Sequence, residues 1–425
     1  MAVDFSLLPK EEPEPDDPPS RPVWMAFFVV TALGVALAIV LLWPRQLSTH
    51  TWKFWASLIL FPVGIPAWIV LRRYSICEGR RLDVLMRNEA IRKYNERVHA
   101  IAARPLAIVG TAFRFSSDRK ENNATAVQTG AVRLATQEPI ASDGNPVKAR
   151  WLTVPGVKLR PGGKEADDAR HRQLTRWLYE QLLDDLANRI RLIPSRINLG
   201  VCLWVSGGLT RHEYMALWHE CWRERQQRKM RILEQTEPAG LATLDNWLDQ
   251  VASGSMLEAK LIVAIHLYPL LSDTPPVGAA EAGVALLLMP GELARQHAVV
   301  HEATVSRPVR GPLDQSNGAL PHALAWGAVT AAEIAASWQT GLGPVQTGVL
   351  CEAAVRLGLN TQSTDLDQTV GHAATAAPWL AIACAAEAPS ASMQSQIVFA
   401  GLPDGADVAV VRWVERDPVQ ANCIN

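Results

Sequence analysis

Two apolar runs near the amino terminus constrain this chain more than any other feature. Val23 to Trp43 is an uncharged stretch of 21 residues, and Trp55 to Leu71 is a second of 17. About 20 apolar residues span a bilayer core, so the first predicts a membrane-crossing helix. The second is slightly short and contains Pro62 and Pro66, kinks that lipid and neighbouring helices tolerate. Trp43, Trp52, Trp55 and Trp68 suit interfacial positions. A cleaved leader needs a basic start and a short apolar stretch. Here residues 1–22 carry Glu11, Glu12, Glu14, Asp16 and Asp17 among prolines, so the run reads as a retained anchor. That acidic, proline-rich tail has too little apolar content to bury a core and is expected to stay disordered.

Charge sets the orientation. The connection 44–54 carries Arg45 and Lys53, whereas Arg72, Arg73, Arg80, Arg81, Arg87, Arg92, Lys93 and Arg97 follow the second run. By the positive-inside rule this cluster keeps the long carboxyl-terminal part in the cytoplasm. The expected arrangement is a hairpin at residues 23–71 in a bacterial inner membrane, both chain ends inside. A basic juxtamembrane helix follows at 72–104, with Ile91, Tyr94, Val98 and Ile101 at helical spacing. It could dock on the following domain, pair with a second copy or lie along the headgroups. Arg104-Pro105 should end it.

The formal net charge of -1 gives no field that would draw nucleic acid, so that partner is excluded. Six cysteines (Cys77, Cys202, Cys221, Cys351, Cys384 and Cys423) lack the spacing of a disulfide framework or a zinc site. No metal or cofactor is expected. His297 and His301 are four apart beside Glu302, but AVVHEATV reads as a strand, where that spacing is too long to chelate one ion. His212-Glu213 and His219-Glu220 do not form a zinc-protease motif. Gly162-Gly163 and Gly207-Gly208 form neither a phosphate loop nor a dinucleotide fingerprint.

From residue 105 onward, short apolar runs alternate with helical stretches, the signature of an α/β sheet. Strands are expected at 106–110, 199–205, 260–266, 283–288, 298–305, 334–338, 396–400 and 408–413. Helices fit 167–190, 211–233 and 241–253. Segments 118–163 and 306–321 read as surface loops. No tandem repeat of short period is visible.

Several of these segments resemble one family. LAIVGTAFRFSSD, beginning at Leu106, is similar to the opening strand of a β-ketoacyl synthase, and LGVCLWVSGG to its second strand. AEAGVALLL at Ala280 resembles the strand closing the first half. ASWQTGLGPVQTGVLCEAAVRLG, from Ala336 to Gly358, resembles a strand, histidine loop and helix. GHAATAAPWLAIACAAE, from Gly371 to Glu387, resembles the second histidine loop, and FAGLPDGADVAVVRW the terminal turn and strand. The resemblance implies a thiolase-like αβαβα fold over 105–425, with halves at about 105–290 and 291–416, preceded by two transmembrane helices and paired as a homodimer.

It also implies an active site, and that site is emptied. Condensation needs a cysteine thiolate at a helix amino terminus, two imidazoles and a lysine. Counting back from Gly254, the thiol should fall close to Glu237, where the sequence EQTEPAGLATLD has none. Cys221 lies within an apolar helical stripe and Cys202 within a strand, so both read as buried structural thiols. The first histidine position holds Trp338, and the lysine position holds Asp367. His372 survives alone, with capping of its loop as a sufficient structural role.

The expected function is therefore a non-catalytic, membrane-anchored scaffold or adaptor binding a protein partner in the cytoplasm. The tail and the loops around Asn122 and Arg310 are its contact candidates. A secretion effector held beside a bacterial type VI apparatus is a partner this plan suits. The alternative is an acyl-thioester or acyl-carrier-binding condensing-enzyme homologue with residual activity at His372. Immunity or regulation by sequestering a partner is a third class.

Overall fold

A computed structural model describes residues 8–13, 20–45, 47–141, 145–225, 227–234, 240–313, 318–359, 361–388 and 395–414. The chain forms two compact units, essentially residues 4–100 and 101–425.

In the first unit, helix α1 (Arg21–Leu42) starts with proline in its first turn, where the missing N–H costs nothing. Helix α2 (Trp52–Ala102) runs unbroken through Pro62 and Pro66. Both helices are long and apolar enough to cross a membrane. Neither is packed as a core helix in this structure: α1 has no buried residue, and Val30, Leu33, Leu42, Ile59, Leu60 and Leu71 are exposed. Helix α2 passes from the second apolar run into the basic segment without interruption, because nothing between Leu71 and Pro105 stops a helix. Of the tail expected to stay disordered, residues 8–13 are among those described. Residues 9 and 12 hydrogen-bond to α2, through Asn95 and Asn88.

The second unit is built twice on one plan. Its first half runs β1 (Leu106–Arg114), α3 (Lys164–Leu192), β2 (Asn198–Ser206), α4 (Arg211–Glu224), β3 (Arg231–Ile232), α5 (Ala242–Ala252), β4 (Glu258–His266) and β5 (Ala282–Pro290). Its second half repeats the order with β6 (Ala303–Val305), α6 (Ala319–Gly327), β7 (Ile334–Thr340), α7 (Pro344–Arg356), β8 (Gln362–Asp365), α8 (Ala377–Glu387), β9 (Ser395–Leu402) and β10 (Gly405–Trp413). The strand order is β1-β5-β4-β2-β3 in one half and β6-β10-β9-β7-β8 in the other. In each half the first two pairings are antiparallel and the last two parallel. Antiparallel pairing of Leu106–Ile108 with Ala303–Val305 joins the halves into one hydrogen-bonded sheet.

Side-chain alternation produces the layers. In β4, Leu261, Val263 and Ile265 face a core with α3 and α4, while Ile262 and Ala264 face a core with α5 and α8. In β9, Val398 and Ala400 enter that same central core, while Ile397 and Phe399 face a third core with α6 and α7. Both faces of the inner strands are covered, so strands such as GVALLL are continuous apolar runs. The two halves of the joined sheet act as two layers, so the order is helix, first half, helix, second half, helix: the five-layered thiolase-like arrangement that the resemblance implies.

Three local expectations fail. Helix α4 stops at Glu224, and Arg231–Ile232 form an edge strand because Gly200 and Val201 of β2 offer a parallel partner. Residues 298–302 are not strand. A short helix at Gly291–Gln296 precedes them, and β6 begins only at Ala303. The 306–321 loop holds a short strand, Val309–Gly311, paired antiparallel with Ala406–Val408 of β10, and ends in the first turn of α6.

Candidate functional site

Ligands of α/β sheets gather at the carboxyl ends of parallel strands, and here β4, β7 and β8 end close to the loop carrying His372. Asp365 opens that loop, accepting hydrogen bonds from the backbone N–H groups of Asp367 at 2.9 Å and Gln368 at 3.3 Å. Asp367 then accepts from Thr340 Oγ1 and the Gly341 N–H, both at 2.7 Å, and lies 3.3 Å from His372 Nδ1. Gly371 takes φ +103°, and a Cβ there would stand 2.8 Å from that of Ala280, so only glycine passes. The next residue is stitched to the first half. The His372 N–H donates to Gly278 O at 2.8 Å, and the Ala280 N–H donates to His372 O at 3.0 Å.

The electrostatics of the pair follow from these contacts. The Asp367 hydrogen bond raises the His372 pKa above the usual imidazole value, against the opposing effect of burial. Burial pulls Asp367 up, but the bonds from His372, Thr340 and Gly341 outweigh it and hold the carboxyl low. The dyad therefore favours carboxylate and imidazolium. Among the described residues no serine or cysteine hydrogen-bonds His372 Nε2.

A second imidazole was not legible in the sequence. His266 ends β4 with its ring edge-on to Tyr268, and neither buried ring nitrogen has a partner among the described residues. Burial lowers its pKa, Glu281 works the other way, and His372 adds to the lowering. A histidine closing an apolar strand carries no spacing signal. Only its place at a strand's carboxyl end could have marked it.

Trp338 does not join this group. It lies inside β7, opposite Thr364 and Val398, and is fully buried in the central core. Its Nε1 donates to Gln396 Oε1 at 2.5 Å, and Gln396 Nε2 donates to Ala388 O at 3.1 Å. Trp204 and Trp379 stack in the same core, ring centroids 5.3 Å apart. So Asp367 and His372 meet, whereas Trp338 is packing. Cys202 is buried in β2, and burial pushes the Cys221 thiol up to about 11, which makes it inert. Glu237, where the thiol was expected, lies outside the described residues. The sequence nevertheless has no cysteine between Cys221 and Cys351.

The remaining candidates make local contacts. His297 caps the short helix and contacts Arg196, and His301 Nδ1 lies 3.2 Å from Val299 O. No cluster of metal-ligating residues occurs among the described residues. Asn122 folds its own turn, accepting from the N–H groups of Phe115 and Ser116, and Arg310 forks onto buried Asp407 at 2.8 and 2.9 Å.

No family model matches the sequence, and no curated protein does. Solved structures similar to it are ketosynthases and thiolases. The ishigamide ketosynthase/chain length factor is 18% identical, covering 73% of this chain and 100% of its own, with a TM-score of 0.48. The ketosynthase from module 6 of the bacillaene synthase of Bacillus subtilis 168 is 13% identical, covering 74% and 71%, at 0.49. The peroxisomal 3-ketoacyl-CoA thiolase of Saccharomyces cerevisiae, described as five-layered and constructed from two core domains of identical topology, is 11% identical, covering 74% and 98%, at 0.42. The repeated topology of the two halves defines the thiolase-like fold.

Proposed function

We propose that this protein is a membrane-anchored scaffold whose thiolase-like domain performs no condensation and instead binds a protein partner in the cytoplasm. The observation that carries this reading is the Asp367–His372 pair. A lysine at that position would favour a neutral imidazole, whereas a carboxylate 3.3 Å from Nδ1 favours its charged form. Trp338, filling the central core in place of the other imidazole, supports the same conclusion, as does the lack of any thiol from residue 222 to residue 350.

The topology has its own support. Hydrogen bonds of Pro9 and Glu12 with Asn95 and Asn88 are compatible with two crossings, which would leave tail and basic helix on the same side. The basic cluster assigns that face to the cytoplasm. The setting we assign, a bacterial inner membrane beside a secretion machine such as a type VI apparatus, rests on this anchored plan. The test is chemical crosslinking of the full chain in its native membrane. A specific protein partner recovered in near-stoichiometric yield is expected, and recovery of none would sink the adaptor reading.

One observation favours a second reading, that the domain binds an acyl thioester or a carrier-protein arm. The His372 side chain is 44% exposed at the strand ends where such folds take ligands. Calorimetric titration with acyl-pantetheine separates the two readings. Binding that His372→Ala abolishes would favour the second.

A further inference from the structure

The tail residues docked on α2 follow a rule. Asn88 reads one residue in full: its Oδ1 accepts the Glu12 N–H and its Nδ2 donates to Glu12 O, both at 2.8 Å. Asn95 reads Pro9 in half, with Nδ2 donating to Pro9 O at 3.0 Å. Its Oδ1 is buried with no partner among the described residues. The cause is covalent, since proline has no N–H to offer. The two asparagines stand seven residues apart, a rise of about 10.5 Å along a helix. Three residues of extended chain cover about 10 Å. Helix and peptide therefore run in register, one asparagine to every third peptide residue. Arg87 adds a contact to the Glu12 carboxylate at 3.4 Å, and half-buried Val84, Ile91 and Val98 share the strip at heptad spacing.

We propose that this strip of α2 is a docking site for an extended acidic peptide, and that the chain's own tail is a built-in, imperfect occupant. The preferred partner carries an acidic residue opposite Asn88 and Arg87. Three positions before it stands any residue except proline, which supplies the N–H that Asn95 Oδ1 lacks. The tail makes three of the four backbone bonds, so a better-matched segment in trans displaces it. The inference does not depend on whether the thiolase-like domain is inert.

The test uses the full chain in lipid nanodiscs, spin-labelled on Lys10 and on an exposed α2 residue, Arg92, with distance distributions read by electron resonance. Three six-residue peptides compete: the tail sequence 8–13, the same with alanine at the Pro9 position, and the same with N-methylalanine there. The alanine peptide is expected to displace the tail at about tenfold lower concentration than the N-methylalanine peptide, the worth of one hydrogen bond to a buried acceptor. Asn88→Ala with Asn95→Ala should broaden the tail distance without any peptide. Equal potency of alanine and N-methylalanine peptides would overturn the reading rule. A distance unchanged in the double variant would overturn the site itself.

Discussion

The two halves of the domain share one topology but treat a carboxylate in opposite ways. In the first half Glu281 is wholly buried and takes four bonds, from Arg170 Nη1 and Nη2 and from the N–H groups of Leu152 and Tyr268. In the second half Asp367 lies beside a half-exposed imidazole that bonds it at 3.3 Å. Saturated on all sides, Glu281 can only hold the structure together. Asp367 keeps a titratable neighbour open to solvent. Repeated folds thus distribute work unevenly: one half locks the strand ends with a buried ion pair, and the other holds a titratable pair open to solvent.

Substitutions can break or sharpen this contrast. Arg170→Ala should cost about 4 kcal/mol in denaturant unfolding, because it strands Glu281 without its counter-charge in the interior. A loss below about 1 kcal/mol would mean the buried pair is not the lock described. Gly371→Ala comes next, at about 2 kcal/mol, from strain at φ +103° and a clash with Ala280. Its thermal midpoint should fall accordingly. Trp338→Phe keeps most of the bulk but leaves Gln396 Oε1 unpaired, for about 1–2 kcal/mol.

The smallest effect is the one that depends on pH. His372→Gln should cost about 0.5–1 kcal/mol, since the pair is partly exposed. His372 has a raised folded pKa, so its contribution is complete below the ordinary imidazole value and fades as pH rises through the raised one. Asp367 has a depressed folded pKa, so its contribution persists until pH falls through that low value. The cost of His372→Gln should therefore be larger at about pH 5.5 than at about pH 8.5. Equal costs at both would show that the ion pair is not formed.

Much of the fold was legible because buried sheets write themselves as apolar runs. LIVAIH of β4 and GVALLL of β5 needed no partner to be read. Arg231–Ile232 was illegible, because RERQQRKMRI continues the composition of a helix and only pairing with Gly200 makes it strand. The site divided similarly. Asp367 and His372 emerged from the resemblance, and the structure brings them together. His266 did not, since its relation to them runs through the tertiary fold. Trp338, which the resemblance sets at a histidine position, sits within β7 and packs into the core. The tail's composition argued against a core of its own but could not reveal that asparagines on α2 would receive it.

We propose that the thiolase-like domain performs no condensation. This is tested most directly by intact-mass spectrometry of the full chain after incubation with acyl and malonyl thioesters, with carbon dioxide release followed in parallel. The account predicts an unmodified mass and no release above the thioester-only control. An acyl group on Cys202 or Cys221, or carbon dioxide release that His372→Ala abolishes, would contradict it.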